Sequence, residues 1–183
     1  GNERVKLIAA DPPSGRHMYL ARRGDAANPR MTRLLDLSRT DRATLRFKVW
    51  YDLERDYDYA YVTISDDGGV TWRTLPGRYT TDTDPNGVNF GHGYTGRSGA
   101  ALAPPSARAR ELPPARWLDE EIDLTPYAGK QVLLRFEVVT DDALNLEGFA
   151  VDEISVPEIG YTDDAESESG WQYEGFVRAA NAL

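Results

Sequence analysis

The sequence predicts an all-β fold, an antiparallel β-sandwich of the jelly-roll type, from three observations. Apolar and polar residues alternate with the period of two that is typical of half-buried strands. No window of about a dozen residues carries the capped apolar stripe that indicates a helix. The predicted strands are short and their connections differ in length, which favours a jelly roll over an up-and-down barrel. With 183 residues, the chain is expected to form a single domain over residues 1–183.

Ten segments carry the strand pattern or a shorter version of it. In chain order they are 17–23, 31–37, 43–51, 59–64, 73–75, 117–124, 131–139, 148–156, 171–173 and 176–178. Alternate apolar positions in the longer segments are predicted to face the core, as with Phe47 in the third and Val62 in the fourth. The same rule places Asp152 on the core face of the segment 148–156, together with Ala150 and Ile154.

A long connection rich in glycine and proline interrupts the strands over residues 76–116. A segment of this length without strands is either functional or packed against the domain as an Ω-like loop. If it is packed, its aromatic residues Tyr79, Phe90 and Tyr94 are expected to hold it in place; a ligand-binding role stays open. Residues 160–183 are expected to form strands that return to the sandwich.

The composition excludes several classes of protein. Cysteine is absent, which excludes disulfides, thiolate metal sites and cysteine nucleophiles. There are two histidines and no His-Glu-x-x-His motif, so neither zinc nor a catalytic centre of that kind is expected in this chain. The net charge of −9 argues against nucleic acid as a partner. No apolar run approaches the roughly 20 residues that span a bilayer, so membrane insertion is not expected.

Residues 65–72 match the pattern Ser-x-Asp-x-Gly-x-Thr-Trp, which resembles the Asp-box hairpin of sialidase propellers. Asp67 is expected to accept backbone N–H bonds across the turn, Gly68 and Gly69 to permit positive φ, and Trp72 to pack beneath the hairpin. The motif occurs once in the chain, so it indicates a structural hairpin and not a propeller.

Asp152, Asp58 and Glu54 form a first candidate calcium site. Asp152 and Asp58 share the parity of core residues, and the short connection 55–57 brings Glu54 beside Asp58. A buried ionised carboxylate has to pair, become protonated or bind a cation. Ca²⁺, which takes several oxygen ligands, meets this requirement. There are two alternatives for these carboxylates. They lie at solvent-exposed strand ends, or one of three arginines supplies the counter-charge: Arg22, Arg46 or Arg135.

A second candidate calcium site consists of Asp82, Asp84 and Asn86. Residues 82–87 match the first half of an EF-hand loop, in which oxygen ligands two positions apart precede a glycine. The twelfth position is Gly93 and not the bidentate glutamate of that motif. A turn built on aspartate and asparagine side chains is therefore the alternative interpretation.

Three aromatic residues lie on outward parities of the predicted strands: Trp50, Tyr59 and Tyr61. An exposed aromatic face of this kind is a candidate platform for binding a sugar. It is equally suited to cover a neighbouring domain. The two interpretations predict the same exposure and differ in the partner.

Nearly the whole chain, from about residue 19 onward, resembles the accessory region of immune inhibitor A-type secreted bacterial metallopeptidases. The segments that carry the resemblance are 50–62, 65–72, 91–99, 123–136, 148–154 and 170–178. The resemblance implies a MAM-like jelly roll that follows a zinc-dependent protease domain in a secreted, calcium-stabilised protein. It also implies that Asp152 matches the calcium-binding aspartate of such jelly rolls, whereas Glu54 and Asp58 match less closely.

The function predicted from the sequence is therefore that of a non-catalytic accessory or interaction domain. Its expected partners are the other domains of the parent metallopeptidase and a protein or glycan substrate, and the expected location is extracellular. The expected cofactor is structural calcium. The alternative prediction is a carbohydrate-binding module of a secreted protein.

Overall fold

The computed structural model describes residues 8–21, 28–100, 107–108, 111–140 and 148–181. Eleven β-strands lie within these residues. They are β1 His17–Ala21, β2 Arg30–Asp36, β3 Thr44–Asp52, β4 Tyr59–Ser65, β5 Arg73–Thr74, β6 Leu118–Asp123, β7 Gln131–Val139, β8 Gly148–Val156, β9 Tyr161–Asp163, β10 Gln172–Glu174 and β11 Phe176–Ala180. The helical elements described are two short 3₁₀ turns, Thr125–Tyr127 and Pro157–Ile159, and no described helix is long and apolar enough to cross a bilayer.

The strands form two antiparallel sheets. The first has the order β11-β1-β8-β3-β6, with β9 paired to β8, and the second has the order β10-β2-β7-β4-β5. Apart from β4 and β5, which both belong to the second sheet, consecutive strands from β1 to β8 alternate between the sheets in the manner of a jelly roll. The predicted all-β sandwich is confirmed, and the C-terminal strands β10 and β11 each join one sheet.

The core lies between the two sheets and follows the predicted alternation in the central strands. In β3 the buried inner positions include Leu45 and Phe47, and in β4 they include Val62. The rings of Phe47 and Phe136 meet edge to face across the core, with centroids 5.1 Å apart. Side chains from facing sheets interdigitate in this way in β-sandwiches, and their burial stabilises the fold.

A β-bulge in β8 places Asp152 on the opposite face from the one that the sequence predicts. Arg46 of β3 pairs with Ser155, and Lys48 pairs with Asp152. The two paired positions are therefore two residues apart in β3 but three residues apart in β8. Glu153, inside the bulge, has a positive φ of 48°. The extra residue reverses the parity of the strand. Ile154 therefore faces the main core, whereas Asp152 lies on the outer face of the first sheet.

Residues 76–100 of the long loop close one edge of the sandwich. Tyr94 exchanges two backbone hydrogen bonds with Ala60 of β4, and Leu53 just after β3 donates to the carbonyl of Gly96. The loop thus bridges the two sheets, with Tyr94 fully buried between them. Tyr94 holds the loop as predicted, whereas Phe90 is 73% exposed and its ring contacts the edge of the domain at Tyr61, with centroids 6.2 Å apart.

Candidate functional site

The hairpin of residues 65–72 has the geometry that its sequence predicts. Asp67 accepts hydrogen bonds from the Thr71 N–H at 2.9 Å and from the Ser65 hydroxyl at 2.7 Å. Gly68 and Gly69 both have positive φ. The Trp72 indole donates to the carbonyl of Gly69, and the Arg135 guanidinium lies 3.7 Å from the centroid of the Trp72 ring. These contacts fasten the hairpin to the outer face of the second sheet.

The hydrogen bonds to Asp67, of which those from Thr71 contribute most, lower the pKa of this carboxyl from 3.8 to about 2. A group whose pKa is lower in the folded state stabilises the protein above its unfolded pKa. This contribution is lost as the pH falls from about 4 to about 2. We expect urea unfolding of Asp67→Ala to lack this part of the acid dependence, so that the two proteins converge in stability near pH 2. The neighbouring Asp66→Ala variant keeps these contacts and should retain the full dependence; a parallel shift at all pH values for Asp67→Ala would contradict the assignment.

The prediction of an exposed aromatic face is wrong. Trp50, Tyr59 and Tyr61 are only 1%, 1% and 2% exposed. The described loop covers Tyr61, whose hydroxyl donates to Asn89 Oδ1 at 3.0 Å and accepts the N–H of Phe90. The Trp50 indole donates to the carbonyl of Ala115 at 3.1 Å. Segments distant in sequence therefore cover these outward positions, and a sugar platform on this face is excluded.

Asp152 is fully buried, although not on the core face. Its Oδ1 accepts the N–H of Glu153 at 2.8 Å, whereas Oδ2 is buried without a hydrogen bond in the described part of the chain. Burial, together with the nearby carboxylates of Glu153, Glu166 and Asp163, raises the pKa of Asp152 to about 7. Oδ2 can therefore take up a proton or bind a cation.

The arginines considered as counter-charges have other contacts. Arg46 forms an ion pair with Glu121 at 3.5 Å, and Arg135 stacks on the Trp72 ring. Arg22 lies outside the described residues. The positive charge that would balance Asp152 is therefore not supplied by either described arginine.

Glu54 and Asp58 lie in the turn between β3 and β4. Asp58 N donates to the Glu54 carbonyl at 2.9 Å, and the Thr95 hydroxyl donates to the carbonyl of Asp58 at 2.8 Å. Asp58 is fully buried immediately before β4, which belongs to the second sheet, whereas Asp152 lies on the first. Among the described residues, no three histidine, aspartate or glutamate side chains are close enough to share a metal ion. The structure thus brings Glu54 and Asp58 together, but it does not bring them to Asp152.

The second candidate set lies beside this turn. Asp84 Oδ1 accepts the N–H groups of Val88 and Asn89, and Asn86 Nδ2 donates to the carbonyl of Asp56 at 3.1 Å. Asp82 is exposed. These contacts are those of a turn built on aspartate and asparagine side chains, which was the alternative interpretation of this segment.

Two buried acidic residues with several hydrogen bonds are absent from the sequence predictions. Glu120 of β6 is 2% exposed and accepts from the Arg78 N–H and the Tyr94 hydroxyl, both at 2.8 Å. Asp163 of β9 is 6% exposed and accepts from the Tyr19 hydroxyl at 2.7 Å and the Trp171 indole at 2.8 Å. For Glu120 the signal was present, since it lies two residues from Leu118 and two from Ile122 and shares their buried face.

A groove of about 980 Å³ lies between the turn after β3, the long loop and the start of β6. Tyr51 and Leu118 belong to its buried lining, and Tyr57 and Tyr79 to its exposed lining. Across one wall, Arg97 Nε donates to Asp52 Oδ2 at 3.1 Å. We call this cavity the tyrosine groove. It lies within the size range of ligand pockets in proteins.

The chain is similar in sequence to several bacterial proteins. It matches the model of the family "Immune inhibitor A-like, MAM domain" over residues 2–181. It is 32% identical over 170 residues to the pre-pro-metalloprotease PrtV of Vibrio cholerae serotype O1, covering 91% of this chain and 16% of PrtV. It is 30% identical over 178 residues to immune inhibitor A of Bacillus thuringiensis subsp. alesti, covering 94% of this chain and 22% of that protein.

A more distant similarity is to bacillopeptidase F of Bacillus subtilis, at 28% identity over 110 residues. That alignment covers 60% of this chain and 5% of the relative. The chain therefore spans less than a quarter of the length of each of these three proteins.

Proposed function

Since the chain belongs to the immune inhibitor A-like MAM domain family, we propose that it is a non-catalytic accessory domain of a larger, secreted zinc metallopeptidase. In this role it stabilises the protease domain or presents substrate to it. Its partners are the other domains of the parent protein, and its location is extracellular. The observation that carries the proposal is the family match over nearly the whole chain.

Two properties of the relatives support an accessory role. In each of them the matching region is a small part of a long polypeptide. The names of two relatives, a metalloprotease and a bacillopeptidase, describe peptidases, although the chain itself has no His-Glu-x-x-His motif. A zinc-dependent active site of that kind would thus lie in another part of the parent protein.

The proposal is tested by separating the domain from the protease. We expect the 183-residue chain to leave casein intact, with or without added Zn²⁺. Deleting the domain from the parent peptidase should shorten the half-life of the enzyme at elevated temperature or raise the KM for a protein substrate, with little effect on a short peptide substrate. Casein hydrolysis by the isolated chain, or a parent enzyme unaffected by the deletion, would refute an accessory role.

We further propose that Asp152 is a ligand of a structural Ca²⁺. The residue fits this role because Oδ2 is buried without a hydrogen bond to the described residues, and because burial and the charges of Glu153, Glu166 and Asp163 disfavour an ionised carboxylate that no cation balances. Ca²⁺ takes six to eight oxygen ligands, to which backbone carbonyls and water contribute. Bound there, the ion would supply the positive charge that this buried carboxylate needs. Glu54 and Asp58 lie in the turn that leads from β3 to β4, and among the described residues they form no common metal-ligand group with Asp152, so they are not part of this proposed site.

A further inference from the structure

The tyrosine groove contains hydrogen-bonding groups that the protein itself does not use. Tyr51 is only 5% exposed, and its hydroxyl has no hydrogen-bond partner among the described residues. The hydroxyl is not among the buried atoms without a partner, so it is open to the groove, where water or a ligand can complete its hydrogen bonds. Because Tyr51 belongs to the lining of the groove, a bound molecule is in position to supply that partner.

Two charged residues of the groove also have unfilled hydrogen-bonding capacity. Within the residues that the structure describes, the Glu54 carboxylate forms no hydrogen bond or ion pair, and the Arg116 guanidinium forms no ion pair. The carboxylate only accepts hydrogen bonds and the guanidinium only donates them, whereas the Tyr51 hydroxyl does both. Acceptors and donors are therefore presented together to whatever enters the groove.

Two exposed aromatic rings complete the lining. Tyr57 is 43% exposed and Tyr79 is 36% exposed, and both belong to the groove. Tyr57 lies in the turn after β3 and Tyr79 in the long loop. A tyrosine offers an apolar ring face next to a polar hydroxyl, which suits ligands with both kinds of surface.

We propose that the tyrosine groove binds a neutral oligosaccharide. Each hydroxyl of a sugar donates and accepts hydrogen bonds, and therefore matches a lining that offers both Glu54 and Arg116. The apolar C–H faces of sugar rings match the exposed rings of Tyr57 and Tyr79. The proposal goes beyond the accessory role and does not depend on it.

The charges of the groove favour a neutral ligand over an ionic one. Arg97 is paired with Asp52 at 3.1 Å, and Arg78 is paired with Glu121 at 2.7 Å. The two charges within each pair neutralise each other. The groove therefore has no cluster of uncompensated charge of one sign. The two charges without an ion pair, Glu54 and Arg116, are of opposite sign, so a ligand that carries a single kind of charge is attracted by one and repelled by the other. A strongly charged peptide is thus a poorer fit than an uncharged polyhydroxyl compound.

The test is native affinity gel electrophoresis of the 183-residue chain in gels containing galactomannan, xylan or glycol chitin. We expect at least one of these polysaccharides to retard the chain. Tyr51→Phe removes a single hydroxyl without a partner in the described structure, so it should fold normally and weaken binding about tenfold. The double variant Tyr57→Ala/Tyr79→Ala should abolish retardation.

Phe90→Ala is the matched control, because Phe90 is an exposed aromatic residue that does not line the groove. This variant should bind like the unmodified chain. The proposal is overturned if none of the three polysaccharides retards the chain, or if retardation survives the double tyrosine variant. It is also overturned if the same tyrosines are needed for binding unfolded casein while no polysaccharide binds, since the groove would then recognise polypeptide.

Discussion

We expect Glu120→Ala to lower the free energy of unfolding by about 3 to 5 kcal/mol. The Glu120 carboxylate accepts the N–H of Arg78 at 2.8 Å and the N–H of Tyr79 at 3.3 Å, and it also accepts the hydroxyl of the fully buried Tyr94. Removing it leaves three donors without their acceptor, of which the Tyr94 hydroxyl is buried and the two N–H groups are partly buried. The measurement is urea unfolding followed by tryptophan fluorescence.

Asp119→Ala is the control for this prediction. Asp119 neighbours Glu120 in β6 but is 75% exposed at its side chain, where it pairs with Lys48. Exposed ion pairs contribute about 1 kcal/mol or less. The free energy of unfolding of this variant should therefore be close to that of the unmodified chain. Glu120→Gln, which keeps one acceptor oxygen, should lie between the two. Equal losses for Asp119→Ala and Glu120→Ala would mean that the carboxylate does not hold the loop.

The effect of Glu120→Ala should extend to the groove. The N–H groups of Arg78 and Tyr79 fix the loop segment that forms one wall, and both donate to this one carboxylate. Tyr94, a third donor, also joins the loop to β4 through its backbone. Glu120 is therefore a positioning residue for the loop, and the groove geometry depends on a side chain outside its lining.

Much of the fold could be predicted because apolar and polar residues alternate with a period of two in half-buried strands. The core positions of β3 and β4 followed from that period alone. The face of Asp152 could not be predicted, since the bulge at Glu153 is a property of the pairing between β8 and β3. Strand β9, Tyr161–Asp163, was not among the ten predicted segments, but it lies within residues 160–183, which were expected to return to the sandwich as strands.

The candidate sites show the same division between local and distant contacts. The Asp67 hairpin could be predicted, because all of its turn contacts lie within eight consecutive residues. The burial of Tyr61 could not, because the covering residues Asn89 and Phe90 are nearly thirty positions away. Glu120 could have been found from the strand period, which places it between Leu118 and Ile122 on the buried face.

Removal of calcium is expected to have the second large effect. A ligand that binds only the folded state stabilises it by about 2.7 kcal/mol at a hundredfold excess over Kd. For a domain of this size, that corresponds to a fall in melting temperature of about 5 to 10 °C when EDTA is added. Scanning calorimetry of the unmodified chain in Ca²⁺ and in EDTA measures the difference directly.

Two single-residue variants then show which carboxylate binds the ion. Asp152→Asn should melt at the same temperature in Ca²⁺ and in EDTA, because an amide is a much weaker ligand for a hard cation than a carboxylate. It should also melt above the unmodified chain in EDTA, since it removes a buried charge that no described arginine balances. Asp82→Asn, in the exposed loop, should keep the full response to Ca²⁺. If instead Asp82→Asn loses the response and Asp152→Asn keeps it, the ion binds in the long loop, and the buried carboxylate of β8 is protonated near neutral pH.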